Sequence, residues 1–306
     1  MASNSTESIK ARLRNLSKSM NIPITFLMKT YFIERFLSRI SESEYRDYFL
    51  IKGGVFMYAN YGATGRMTKD IDFTLKTNTY DVDSMLNIIT HIMAHPTDDC
   101  VTFDLDTMVV RNTQEAKSVS GYAVSVTAYL GGKGAISERL SFDISYGDIV
   151  YPNDIYITFD PLLGMAPITL LCYSYETVIA EKFAAAVGFE GDNTRVKDYY
   201  DIYKLSTTMD FDGNNLYKAI YMTFEIREML NQDFTQKQIN FEFLDDMVNN
   251  RQHNWERLIY EIPSASELKL SDATAQFSRF LYPLWFAFIH NQYFDYQWNH
   301  QTQVWE

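Results

Sequence analysis

The stretch from Lys52 to Phe73 constrains this chain more than any other. It follows a short apolar run, Tyr48-Phe49-Leu50-Ile51, of the length and composition of a buried strand. Gly53-Gly54 breaks that run. Two residues without a Cβ allow a tight turn and let a ligand come close to the backbone. Val55 to Tyr61 then suits a short helix, whose first amides would point back at the glycines and form an anion site. Asp70-Ile71-Asp72-Phe73 reads as a second strand. Strand alternation puts Asp70 and Asp72 on one face and Ile71 and Phe73 on the other. Two neighbouring carboxylates repel unless a cation joins them. A hard divalent ion such as Mg²⁺ is held by carboxylates together with substrate phosphates.

The chain has 306 residues, more than one average domain, so two subdomains are expected. Pro152, Pro161, Gly164 and Pro167 punctuate the region between them. The expected division is 1–165, a core with N-terminal helices, and 166–306, mainly helical. A hydrophobic content of 46% is ample for a sizeable core in each. Cys100 and Cys172 are far apart and form no Cys-x-x-Cys pair, which argues against a zinc or disulfide framework and for a reduced, cytoplasmic setting. The polar start carries no apolar signal core. Leu281 to Ile289 is the most apolar segment, well short of the roughly 18–20 residues that span a bilayer, so no membrane association is expected.

The net charge of −12 counts against a general nucleic-acid binder. Its distribution is uneven. Residues 1–40 hold Lys10, Arg12, Arg14, Lys18, Lys29, Arg35 and Arg39 against Glu7 and Glu34, a local excess of +5 that leaves −17 for the rest. Such asymmetry can mark a polyanion contact, although a solvated helix face gives the same pattern.

Helical periodicity covers residues 5–20 and 23–40, with Pro23 opening the second helix, and again 81–93. Residues 101–111, 122–130 and 137–145 read as strands, with Gly131-Gly132-Lys133-Gly134 as a hairpin turn rather than a phosphate-binding P-loop. A short strand at 168–173 precedes a helix at 175–187, which Ser174 can cap. A further helix follows Arg195, and 215–230, 235–262 and 271–298 read as three long helices. His253, His290 and His300 show no metal-ligand spacing.

Lys52-Gly53-Gly54 followed by Arg66-x-Thr68-x-Asp70-Ile71-Asp72-Phe73 resembles the signature of the DNA polymerase β-like nucleotidyltransferases. Within that superfamily it is most similar to the AbiEii-type toxin nucleotidyltransferases of bacterial toxin–antitoxin and phage abortive-infection systems. The resemblance extends over about residues 10–205. It implies an α+β fold, a mixed sheet flanked by helices, with a helical C-terminal subdomain. It also implies a third carboxylate from a strand beside the Asp-x-Asp strand. Asp143, in Phe142-Asp143-Ile144, matches it, with Asp104, Asp106 and Asp148 as competing candidates. In an apolar strand an unpaired charge would be costly, which favours a functional Asp143. Ala180-Glu181-Lys182 matches the family's third motif, so Lys182 is implied as a catalytic contact to phosphate or nucleotide. Arg195-x-Lys197-Asp198-x-x-Asp201 matches the fourth. Arg195, Asp198 and Asp201 step by three along one helix face, which would also suit a ladder of exposed ion pairs.

The implied reaction transfers a nucleotide monophosphate from an NTP to an acceptor hydroxyl. Two Mg²⁺ ions would be held by Asp70, Asp72 and Asp143. Lys52, Gly53, Gly54, Arg66, Thr68, Arg195 and Asp201 would contact the nucleotide, and Asp198 would lie near it or near a metal-bound water. The family implies a growth-inhibiting toxin acting on RNA, plausibly the 3′ end of tRNA, with a separately encoded antitoxin that acts mostly without direct contact. A small-molecule acceptor, a protein acceptor, and a regulator that holds GTP or ATP without turnover are the alternatives. The residues fix neither the nucleotide nor the oligomeric state.

Overall fold

A computed structural model describes residues 5–62, 65–68, 70–76, 80–113, 121–188, 195–230 and 241–306. The chain divides into two compact units, Met1–Gly147 with Ile155–Cys172, and Asp148–Asp154 with Tyr173–Glu306. The strand at Ile168–Cys172 and the segment Asp148–Asp154 therefore each belong to the unit opposite to the one expected from a single cut at 165.

The first unit is built on a seven-stranded mixed sheet. Its strands are β1 (Phe49–Lys52), β2 (Ile71–Leu75), β3 (Val101–Asn112), β4 (Gly121–Leu130), β5 (Ile136–Tyr146), β6 (Ile155–Phe159) and β7 (Ile168–Cys172). Their order is β3-β4-β5-β2-β1-β7-β6, parallel at β2–β5 and β1–β7 and antiparallel elsewhere. Helices α1 (Thr6–Met20), α2 (Ile24–Glu42), α3 (Gly53–Tyr61) and α4 (Val82–Ala94) complete the unit. Side chains cap two of these helices: Ser5 accepts from Ser8 N–H at 3.3 Å and Asp81 from Ser84 N–H at 2.7 Å. Phe36 of α2 stacks on Phe142 at 4.8 Å and meets Phe73 and Phe103 edge-on, so α2 seals one face of the sheet with aromatic packing. Strand β6 lies inside the stretch read above as a boundary. Its alternation, with Ile157 and Phe159 inward and Tyr156 and Thr158 outward, is masked in sequence by the flanking prolines.

The second unit holds α5 (Tyr175–Gly188), α6 (Val196–Ser206), α7 (Gly213–Ile226), α8 (Phe243–Asn250), α9 (Gln252–Tyr260) and α10 (Leu270–Ile289). It also holds a small sheet of β8 (Phe211–Asp212), β9 (Gln297–Asn299) and β10 (Val304–Trp305). Phe183, at 5.3–5.8 Å from Phe224, Phe241, Phe277 and Trp285, centres its core. Two expected long helices are shorter. The helix at 235–262 is instead α8 and α9, broken at Arg251; residues 235–240 lie outside the described residues. Asn249-Asn250 precede the break, and short amide side chains compete for backbone hydrogen bonds. The helix at 271–298 stops at Ile289. Asn291 takes a left-handed φ of 51°, and Gln292 N–H closes the end on the Ala287 carbonyl at 2.8 Å. The tail then turns back, and Trp298 and Trp305 pack on Phe280 at 4.8 and 5.5 Å.

Candidate active site

In the first unit the chemistry-bearing residues form a row across three strands. Lys52 of β1 lies opposite Asp72 of β2, and Asp72 lies opposite Asp143 of β5. Residues opposite one another in a ladder project to the same face. Their neighbours Ile51, Ile71, Phe73, Phe142 and Ile144 project to the other face and are buried. Asp143 is therefore exposed, so the burial cost argued from its apolar neighbours does not arise. What places it is register: β2 and β5 run parallel with the two aspartates side by side. Two residues further along, Ser145 accepts a 2.5 Å hydrogen bond from Lys52 Nζ and sits 2.7 Å from the Thr74 hydroxyl. Ser145 was missed in the sequence; its signal is its position two residues after Asp143, on the same face.

The glycine pair packs directly against this row. Helix α3 begins at Gly53 itself, two residues earlier than expected. Gly53 has a φ of 59°, and a Cβ there would lie 2.5 Å from Asp72 Oδ2. Only glycine combines that backbone with that approach. A Cβ on Gly54 would overlap Thr68 Oγ1 and come within 3.2 Å of the Arg66 guanidinium. Arg66 and Thr68, both buried, thus lie over the first turn of α3. Thr68 Oγ1 donates to the Asp70 carbonyl at 2.7 Å and accepts from Asp70 N–H at 3.3 Å, which fixes the backbone leading into β2. Lys52, the residue before α3, gives its first amides no side-chain cap, so the helix start keeps its affinity for an anion.

Lys52, Gly53, Gly54, Arg66, Thr68, Asp70, Asp72 and Asp143 thereby lie on and beside the three adjacent interior strands β5, β2 and β1. Two carboxylates abreast on parallel strands are of the chemical kind that binds a hard divalent cation jointly with substrate phosphates. Among the described residues no three His, Cys, Asp or Glu side chains converge closely enough to hold a metal by themselves. The competing aspartates are engaged elsewhere. Asp104 and Asp106 pair with Lys133 at 2.9 and 3.4 Å, and Asp148 accepts from Tyr173 Oη at 2.6 Å.

In the second unit Lys182 of α5 reaches α6. Its Nζ lies 3.1 Å from Asp198 Oδ1 and 2.5 Å from Asp201 Oδ2. Arg195 occupies the position just before α6, makes no side-chain cap, and places Nε 2.9 Å from Asp198 Oδ2. Asp198 and Asp201 are 0% exposed and Lys182 is 6% exposed. The ladder of exposed ion pairs is thus ruled out for the two carboxylates. Arg195 precedes the helix rather than sharing its face, and its side chain is 44% exposed. Two cations and two anions leave the cluster formally neutral, and Lys182 is bonded to carboxylates on both sides. Ser174 caps α5, accepting from Thr177 N–H at 3.1 Å. Cys100 and Cys172 are free thiols. No helix among the described residues is long and apolar enough to cross a membrane.

A glycine pair packed on an Asp-x-Asp strand in a mixed sheet is the arrangement that the resemblance to nucleotidyltransferases implies. The family model "Nucleotidyl transferase AbiEii toxin, Type IV TA system" matches residues 35–281, and the chain belongs to that family and is a nucleotidyltransferase. A solved structure described as "putative nucleotidyltransferase from H. pylori" is similar at a TM-score of 0.48 and 14% identity, covering 87% of this chain and 97% of that one. No curated protein matches the sequence closely enough to count as a relative.

Proposed function

We propose that the chain is the toxin of a type IV toxin–antitoxin pair and transfers a nucleotide monophosphate from an NTP to a hydroxyl of RNA, with the 3′ end of tRNA as the leading acceptor. The observation that carries this reading is the in-register row Lys52–Asp72–Asp143 packed against Gly53-Gly54. Asp72, Asp143 and Asp70 would hold Mg²⁺, which when bound neutralises the triphosphate and lowers the pKa of the attacking hydroxyl. The start of α3 receives phosphate oxygens through its backbone amides, and the missing Cβ atoms leave room for them. Lys52 Nζ, held over β2 and β5 by Ser145, adds a positive charge beside them. The acceptor oxygen attacks the α-phosphorus, the bond to the bridging oxygen breaks, and pyrophosphate leaves. Asp143 takes the hydroxyl proton.

The basic N-terminal segment supports an RNA acceptor less than its charge count suggests. Arg35 and Arg39 are buried, Lys10 pairs with Glu7 at 2.9 Å, and Lys29 pairs with Glu138 at 3.5 Å. Arg12 is engaged with the Leu163 carbonyl. Arg14 and Lys18 remain exposed. The antitoxin acts on this reading without a lasting contact. The deciding experiment supplies each α-labelled NTP with Mg²⁺ and total cellular RNA, with Asp72→Asn in parallel. Label in a tRNA-sized band from the native protein alone establishes nucleotide and acceptor. Retained nucleotide without pyrophosphate release refutes the transfer.

A further inference from the structure

Unit one carries a cavity of about 600 Å³, lined by α1, α2, the 96–99 segment and the 163–166 segment. It lies against α2, the helix that seals the sheet face opposite to Asp72 and Asp143. Its volume is within the range of small-molecule sites. Arg35 lines it and is 3% exposed. Its guanidinium lies 5.4 Å from the Tyr31 ring centroid and 3.8 Å from Glu34 Oε2, too far for a hydrogen bond. Arg35 Nε and Nη2 are buried without a hydrogen-bond partner. Thr97 Oγ1, in the same wall, is also buried without one. A buried unsatisfied donor costs free energy, and a guanidinium cannot shed its proton to escape that cost. With no partner in the chain, these groups are open to water or to a ligand in the cavity.

We infer that this cavity is a binding site for a small molecule bearing a phosphate or carboxylate, held by the Arg35 fork and Thr97, with Arg12 at its rim. Charge in the wall narrows the ligand. Asp99 is already neutralised by Arg39 through hydrogen bonds of 2.7 and 3.2 Å. Glu42 lies 3.2 Å from the Ser38 hydroxyl and 3.8 Å from His95 Nδ1, and Asp98 is exposed at the edge. Glu42 and Asp98 share the wall with Arg12, which is bonded to the Leu163 carbonyl, and Arg35, so the lining carries acidic as well as basic groups. The ligand therefore also carries hydroxyl or amine donors. The oxyanion matches the planar two-donor geometry of arginine, and the donors match the carboxylates.

The test is calorimetric titration of the full chain with inorganic phosphate and, separately, acetate. Wild type is compared with Arg35→Lys and Thr97→Val, neither of which touches the carboxylate row. A saturable site is expected in wild type, weakened at least tenfold in Arg35→Lys and threefold or more in Thr97→Val. Tighter phosphate identifies a phosphorylated ligand and tighter acetate a carboxylate ligand. Isotherms of both variants superimposable on wild type, or no saturable binding of either probe, overturn the site. Binding of phosphate at the α3 start alone would produce the superimposable outcome and is thereby separated from it.

Discussion

The two acidic clusters are opposites in the same chain. Asp72 and Asp143 stand abreast in unit one, with Asp143 exposed and Gly53 pressed against Asp72. Asp198 and Asp201 in unit two are fully buried, with Lys182 bonded to both. Removing a charge from an exposed acidic row relieves repulsion and removes a cation ligand. Removing one from a closed, buried cluster leaves an uncompensated charge in a medium that cannot solvate it. Exposure thus separates a row that solvent can reach from a cluster closed inside unit two.

The largest expected effect follows from the open cluster. Asp72→Asn should lower nucleotide transfer by about a thousandfold or more, since a lost metal ligand removes transition-state charge stabilisation. Its thermal midpoint should stay close to wild type. Single-turnover transfer of label, together with a denaturation curve, checks both halves. A variant that unfolds would show that the row is structural after all, and the contrast with unit two would disappear.

Lys182→Met should do the reverse. It leaves Asp198 and Asp201 buried without their shared cation and should destabilise the protein by about 3–5 kcal/mol. Urea unfolding measures it. Normal stability with abolished transfer would instead make Lys182 a catalytic contact, as the family motif implies.

Glu34 lies between these extremes. It is buried like Asp201, yet its cation, Arg35, stands 3.8 Å away without a hydrogen bond. Tyr58 Oη and Leu162 N–H donate to Oε1 at 2.6 and 2.8 Å. Burial outweighs these bonds and pushes its carboxyl up to about 7. A raised folded-state pKa contributes stability that is full below the unfolded value near 4.5 and is lost as pH rises to about 7. The loss is on the order of 3 kcal/mol at ~1.4 kcal/mol per pH unit. Glu34→Gln keeps an acceptor for both donors and cannot ionise. Its unfolding free energy should decline less than that of wild type between pH 4.5 and 7. Parallel pH profiles would mean that Glu34 is solvated or paired as well as Asp201.

How much was legible in the sequence divides along the same line. The glycine pair and the Asp-x-Asp strand could be read because each is a local pattern of residue type and spacing, whereas Asp143 was singled out only through the family resemblance. The strand pairing that makes Asp143 the neighbour of Asp72 joins residues 71 positions apart, and no local pattern encodes it. Burial was misjudged in both directions. Asp143 was expected to carry a burial cost and is exposed, whereas Arg35 and Arg39 were counted as surface charge and are buried. Charged residues on a helix with apolar neighbours give no sign of which will be covered. Strand β6 was hidden because prolines dominate the composition around it, although they flank the alternating residues rather than interrupt them.

The smallest expected effect tests the contact that ties the glycine pair to the open cluster. A Cβ at Gly54 overlaps Thr68 Oγ1, and Thr68 also holds the backbone of Asp70. Gly54→Ala should therefore cost about 1–3 kcal/mol, the usual range for overpacking a tight contact. Because the strain falls on Thr68, Thr68→Gly should remove part of it. The double variant should be less destabilised than the sum of the singles, a coupling of the kind seen between residues in contact. Strict additivity would mean that Gly54 and Thr68 do not act on each other. The row of carboxylates would then owe its geometry to strand register alone.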